Sequence, residues 1–220
     1  MKQQVALCVS GISLLVIATT GFGNDVILRK AIVYNDFAAI SNYVCNGGEI
    51  NRAEGSKNQT ALHIAAGENR LKIAQFLIEH QADINARDNM GLTPLHWAAY
   101  NGNLDMVAYM LQHNANINAA DIHGLTPLHL AVQYGHRDVI NLLLDAGADL
   151  NARTYEQGLA PIHWSAFWGY PEGLKELLAH GADINMRDST GDTALTWAEA
   201  FYHENMARLI ARKGGKRNIN

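Results

Sequence analysis

One tetrapeptide pattern returns along this chain at a nearly fixed step. Thr60-Ala61-Leu62-His63, Thr93-Pro94-Leu95-His96, Thr126-Pro127-Leu128-His129, Ala160-Pro161-Ile162-His163 and Thr193-Ala194-Leu195-Thr196 begin 33, 33, 34 and 33 residues apart. A second marker keeps the same step in another phase: Ala82-Asp83-Ile84-Asn85, Ala115-Asn116-Ile117-Asn118, Ala148-Asp149-Leu150-Asn151 and Ala182-Asp183-Ile184-Asn185. A unit this short cannot bury its apolar face alone. It must stack on copies of itself, so the period predicts an open solenoid and argues against a closed globule.

The residues within one period read as two antiparallel helices. Thr93 stands before Pro94, where the missing N–H of proline costs nothing because the first turn has no acceptor for it, and Leu95-His96-Trp97-Ala98-Ala99 continues the helix. Gly102 ends it. Met106, Val107, Met110 and Leu111 then recur at the spacing of an amphipathic helix, closed by Asn114, which tolerates a left-handed backbone. Between units, Gly91, Gly124, Gly158 and Gly191 stand two residues before the Thr or Ala of the helix start. In the first complete unit that place is taken by Asn58, a residue type that enters the positive-φ region at small cost.

These markers resemble the ankyrin-repeat family, whose consensus has the Thr-Pro-Leu-His helix start, a glycine between helices and a Gly-Ala-Asp-apolar-Asn loop. The resemblance runs from Asn58 to about Gly214 and implies an all-α repeat solenoid of helix pairs joined by β-hairpin-like fingers. Reading backwards in register adds a worn first unit, with Phe37, Ile40 and Val44 on its second helix and Gly47-Gly48-Glu49-Ile50-Asn51 as its loop. The resulting division is a leader over 1–23, then units over 24–54, 55–87, 88–120, 121–153, 154–187 and 188–220. The outer two units face water on one side and depart from the pattern accordingly. Arg29 and Lys30 stand in the first, while the last has Tyr202 in place of the helix-separating glycine and a basic end with Arg208, Arg212, Lys213, Lys216 and Arg217, read as a cap.

Lys2, the uncharged and mostly apolar run from Val5 to Ala18, and Gly21 and Gly23 before Asn24 have the layout of a secretory signal peptide. The chain is therefore expected to be exported, periplasmic or secreted, and off the membrane after cleavage. The alternative is a membrane anchor over residues 5–18, which is short of the ~20 apolar residues a spanning helix needs. Removal of the leader takes Cys8 with it, so Cys45 is expected to be alone, with no internal disulfide. The net charge of -4 gives no general attraction for nucleic acid. A monomer with a protein partner is the expectation.

Ten histidines tempt a metal hypothesis, above all the ladder His63, His96, His129 and His163. Helices of neighbouring units pack ~8–10 Å apart, whereas zinc ligands sit ~2.0–2.1 Å from the ion, so ladder neighbours do not share one. The resemblance implies instead that each imidazole bonds to loop groups and ties one unit to the next. His80, His113 and His180 fall at helix ends, where a cation suits the dipole. There is no His-Glu-x-x-His, nucleophile elbow, Walker loop or Cys-x-x-Cys. The sequence thus predicts no catalytic residues, no cofactor and no metal.

In ankyrin proteins partners usually meet the finger tips and the inner side of the first helices, on the concave face. Carried over, the resemblance points to Asn89, Met90 and Leu92, to Ile122, His123 and Leu125, to Tyr155, Glu156 and Gln157, and to Ser189, Thr190 and Asp192. The helix residues on the same side are Tyr100 with Asn101, Gln133 with Tyr134, and Phe167 with Trp168. Tyr100, Tyr134, Phe167 and Trp168 are expected to form one aromatic strip, since aromatic side chains dominate typical interfaces. Trp97, Trp164 and Trp197 are assigned to another face, in the core between units. The fourth complete unit has one extra finger residue, placed at Thr154, lacks the usual Asp, and has Ala160 in place of Thr. The loop residues Asn51, Asn85, Asn118, Asn151 and Asn185 are expected to satisfy groups within their own turns. The reading is a non-catalytic protein-binding module; the competitors are a metal- or haem-sequestering protein and an immunity or inhibitor protein that occludes an enzyme.

Overall fold

The computed structural model describes residues 24–218. The segment read as a leader, residues 1–23, lies outside them. The helices come in six successive pairs: α1 (Asn24–Val33) with α2 (Phe37–Cys45), α3 (Ala61–Gly67) with α4 (Leu71–Glu79), α5 (Pro94–Tyr100) with α6 (Leu104–Gln112), α7 (Pro127–Gln133) with α8 (Arg137–Asp145), α9 (Pro161–Trp168) with α10 (Pro171–Ala179), and α11 (Ala194–Ala200) with α12 (Glu204–Arg212). Between α2 and α3, β1 (Ala53–Glu54) pairs antiparallel with β2 (Gln59–Thr60) in the first finger. Among the described residues no helix is long and apolar enough to cross a membrane.

Helices of seven to ten residues are not stable alone in water. Packing holds them: α3, α5, α7, α9 and α11 lie side by side in one row, and α2, α4, α6, α8 and α10 in a second. Between the rows runs a continuous core. Leu62, Leu95, Leu128 and Ile162 enter it from the first helices, and Leu77, Met110, Leu143, Leu177 and Ile210 from the second. Each such side chain removed from water contributes roughly 1.5–3 kcal/mol.

The worn first unit follows the same plan. Ile32 and Ile40 are buried while Arg29 and Lys30 face solvent. Asn58 takes φ +56, as its place in the repeat requires. Tyr202 holds φ +59, a costly conformation for a bulky residue, and is 89% exposed. At the other end, the segment beyond Gly214 folds back as a final loop. The Thr193 hydroxyl donates to the Lys216 carbonyl, and Arg217 grips Glu199 with two nitrogens at 2.7–3.0 Å.

Cys45 is disulfide-bonded in the full chain, whereas the expectation of a lone thiol concerned the chain after removal of the leader. One expectation is corrected: the extra finger residue is not Thr154. The amide of Thr154 donates to the Leu159 carbonyl just as Asp88 does to Leu92 and Asp121 to Leu125, so Thr154 stands in the Asp position. Backbone bonding between fingers identifies the true insertion as Glu156.

Candidate functional site

Each finger is a tight turn held by its first residue. The Asp88 carboxylate accepts from the amides of Met90 and Leu92, Asp121 from His123 and Leu125, and Asp188 from Thr190 and Asp192. Thr154 replaces this with one hydroxyl contact to the Leu159 amide at 2.9 Å. Successive fingers are joined by single backbone bonds in strict register: Asn89 to Lys57, Ile122 to Met90, Tyr155 to His123 and Ser189 to Gln157, at 2.9–3.1 Å. In that register Tyr155 matches Ile122 and Gln157 matches His123. Glu156 has no counterpart.

The ladder histidines do tie units together. Nε2 of His63, His96, His129 and His163 meets the carbonyl of Leu92, Leu125, Leu159 and Met186, at 2.8–3.2 Å. Their Nδ1 atoms are taken by the backbone amides of Thr60, Thr93, Thr126 and Ala160. With both ring nitrogens engaged, these imidazoles have no lone pair left for a metal. Burial pushes His96 and His129 down to about 4 and lowers His63 and His163. His80, His113 and His180 cap helices, each with Nδ1 against a carbonyl of the preceding turn.

The loop asparagines act differently from expectation. The side-chain oxygens of Asn51, Asn85, Asn118 and Asn185 accept from the amides of Asp83, Asn116, Asp149 and Lys216, in the following unit. Within a turn the partner is the preceding acceptor residue, as when Asp83 receives the Asn85 amide. The sequence reading also missed a third row of ties at the starts of the second helices. Arg70, Asn103, His136 and His203 reach back to the carbonyls of Val33, Ala66, Tyr100 and Phe167.

These ties fix the surface that the sequence singled out. Asn89, Met90, Ile122, His123, Tyr155, Glu156, Gln157, Ser189 and Thr190 are exposed at the finger tips. Leu92, Leu125 and Asp192 are half-buried beneath them, and the Leu92 and Leu125 carbonyls are occupied by the histidine ladder. On the helices Tyr100, Asn101, Tyr134 and Trp168 are exposed, and Gln133 and Phe167 are half-buried.

The aromatic rings touch in two groups where one strip was expected. Tyr100 lies 4.3 Å from Tyr134 and 5.9 Å from Trp97 between ring centres. Phe167 lies 5.2 Å from Trp168, 5.6 Å from Trp164, 5.7 Å from Trp197 and 4.3 Å from Phe201. Gln133 separates the groups and accepts from the Trp164 indole at 3.1 Å. Burial and the neighbouring Tyr100 hydroxyl push Tyr134 up to about 12.

The assignment of the tryptophans to the core holds in part: Trp97 and Trp197 are half-buried and pack against the core, whereas Trp164 is half-buried without joining it. They do not form a separate face, since all three lie beside the exposed aromatics. Positions three apart on a helix share a face, which is how Trp97 meets Tyr100, Trp164 meets Phe167, and Trp197, four residues away, meets Phe201. The indoles of Trp97 and Trp197 donate to Asp88 and Asp188 at 3.1 and 2.7 Å, so the finger anchor and the helix surface are one assembly. Phe201, 43% exposed, extends the row and was missed. Its signal lay in the period, since it falls one step beyond Trp168.

A family model described as ankyrin repeats in three copies matches residues 12–88, 28–121, 87–154 and 153–220. Among curated relatives, Potassium channel AKT3 of Oryza sativa subsp. japonica is 38% identical over 64 residues. That segment is 29% of this chain and 7% of the channel, so the chain spans only a small part of that relative's length.

Proposed function

The chain belongs to the ankyrin-repeat family, whose members are generally non-catalytic protein-interaction modules, and from that premise we propose that it is an exported, non-catalytic module binding one protein through its finger tips and the aromatic row beneath them. The observation that carries this reading is the exposure of Tyr100, Tyr134, Trp168 and Phe201 at 37–43%, one per unit, on a scaffold whose fingers are bonded in register. Aromatic side chains in a solvated row cost solvation and contribute most when a partner covers them. Rigid fingers lose little conformational entropy on binding, which favours affinity.

The leader-like segment supports a periplasmic or secreted site of action, and the protein acts there as a monomer. An immunity or inhibitor role would use the same surface with an enzyme as partner. Metal or haem sequestration through the histidine ladder is disfavoured because those histidines spend both nitrogens on backbone groups.

Affinity capture from the native host, comparing the unaltered protein with a Tyr134→Ala, Trp168→Ala double variant, tests the surface. Each exposed anchor of this kind contributes on the order of 2 kcal/mol, so the variant should lose the specific partner while keeping its circular dichroism and unfolding midpoint. Equal recovery of every captured protein rejects the surface.

A further inference from the structure

The finger ladder makes Lys57, Met90, His123 and Gln157 equivalent, since each offers its carbonyl to the next finger. On the first helix of the next unit, the residue beside the histidine-ladder position is Trp97, Leu130, Trp164 and Trp197 in turn. At the first of these pairs the chain supplies its own cation. The Lys57 ammonium lies 5.0 Å from the centre of the Trp97 ring.

At the equivalent pair two units later no such cation is built in. A cavity of about 210 Å³ opens there, bounded by His123, Leu125, Thr154, Glu156, Gln157 and Trp164. Its lining contains an indole and a carboxylate and no lysine or arginine. The carboxylate is that of Glu156, the residue by which this finger exceeds its neighbours. The indole N–H of Trp164 is already held by Gln133 at 3.1 Å, so the ring is oriented before anything binds. An apolar side chain entering this space would strip water from Glu156 and give nothing in return. A cation would meet both the negative face of the ring and the carboxylate.

We infer that this cavity receives one lysine or arginine side chain of the partner protein, with its charged end over Trp164 and against Glu156. The inference rests on the reading that this surface binds a protein, and it names the chemistry of one anchor of that partner.

The test uses the full chain alone. Its four tryptophans, Trp97, Trp164, Trp168 and Trp197, give separate indole N–H signals in proton–nitrogen correlation spectra, with Trp164→Leu assigning one of them. The probes are the acetylated methylamides of lysine, of arginine and, as the neutral control, of norleucine. Lysine and arginine should shift the Trp164 signal, norleucine should leave it in place at equal concentration, and Glu156→Gln should weaken the response roughly fivefold. No Trp164 shift with either cation, an equal shift with norleucine, or an undiminished response in Glu156→Gln overturns the inference. Because no partner protein enters this measurement, its failure leaves the capture experiment standing. Failure of the capture experiment beside an intact Trp164 response would instead reject the aromatic row while keeping the cation cavity.

Discussion

The backbone amide of Thr93 donates to Nδ1 of His96 at 3.0 Å, and this one bond decides the state of the ring. A nitrogen that accepts from an N–H carries no proton. Nε2 must therefore carry it, and donates to the Leu125 carbonyl at 3.0 Å. Protonating Nδ1 would set N–H against N–H in a buried site, which is the local reason why His96 resists becoming a cation alongside the desolvation that dominates the shift.

Acid should therefore weaken the fold. His96 and His129 titrate at about 4 when folded and near the ordinary 6.5 when unfolded. The unfolded chain binds protons first, so stability is fully present above 6.5 and falls as the pH drops towards 4. Each residue contributes on the order of 3 kcal/mol to that loss. Urea midpoints measured across this range should fall with acidification, and His129→Gln should flatten the dependence; a midpoint independent of pH would contradict the assignment.

Ala160 marks a place where the protein is open to improvement. Its backbone, at φ -84 and ψ 166, matches that of Thr126 at φ -101 and ψ 167, but it lacks the hydroxyl that reaches the imidazole Nδ1 at 2.9 Å in the unit before. Ala160→Thr should stabilise by roughly 0.5–1 kcal/mol and Thr126→Ala should destabilise by about 1 kcal/mol. Chemical denaturation of both variants checks the pair.

Gly124 and Gly147 separate backbone strain from steric conflict. Both have positive φ, at +82 and +90, but a Cβ on Gly124 would lie 2.8 Å from the Tyr155 amide nitrogen, whereas one on Gly147 meets nothing within 4 Å. Gly147→Ala should cost about 1 kcal/mol. Gly124→Ala should cost roughly 2 kcal/mol or more and speed hydrogen exchange at the Tyr155 amide, whose bond to His123 joins the two fingers.

Asn118 offers its oxygen to the Asp149 amide at 2.9 Å across the unit boundary. Asn118→Ala should destabilise by about 1 kcal/mol. Asn118→Asp keeps an acceptor in place and should retain most of that stability. Equal losses in the two variants, by thermal or urea unfolding, would show that the tie is not what the position supplies.

The period of the sequence determined the helix pairs, the proline and threonine helix starts, the positive-φ place of Asn58 and the stacking role of the ladder histidines. Those features repeat within every unit and depend on bonds between residues close in the chain or on the family pattern, so one unit predicts the next. Phe201 was legible in the same way, by one more step of the period, and the face shared by Trp97 and Tyr100 by helical spacing. What only the tertiary structure decided lies between units. The partners of Asn85 and Asn118, the carbonyls reached by His136 and His203, and the division of the aromatic row at Gln133, whose side chain meets Trp164, join residues about thirty to forty positions apart, and the cavity beside Trp164 is completed by His123 and Leu125 of the preceding finger. Such contacts depend on the offset and rotation of one helix pair against the next. That geometry is set by how the buried side chains of both units interlock, and no local pattern of residues encodes it.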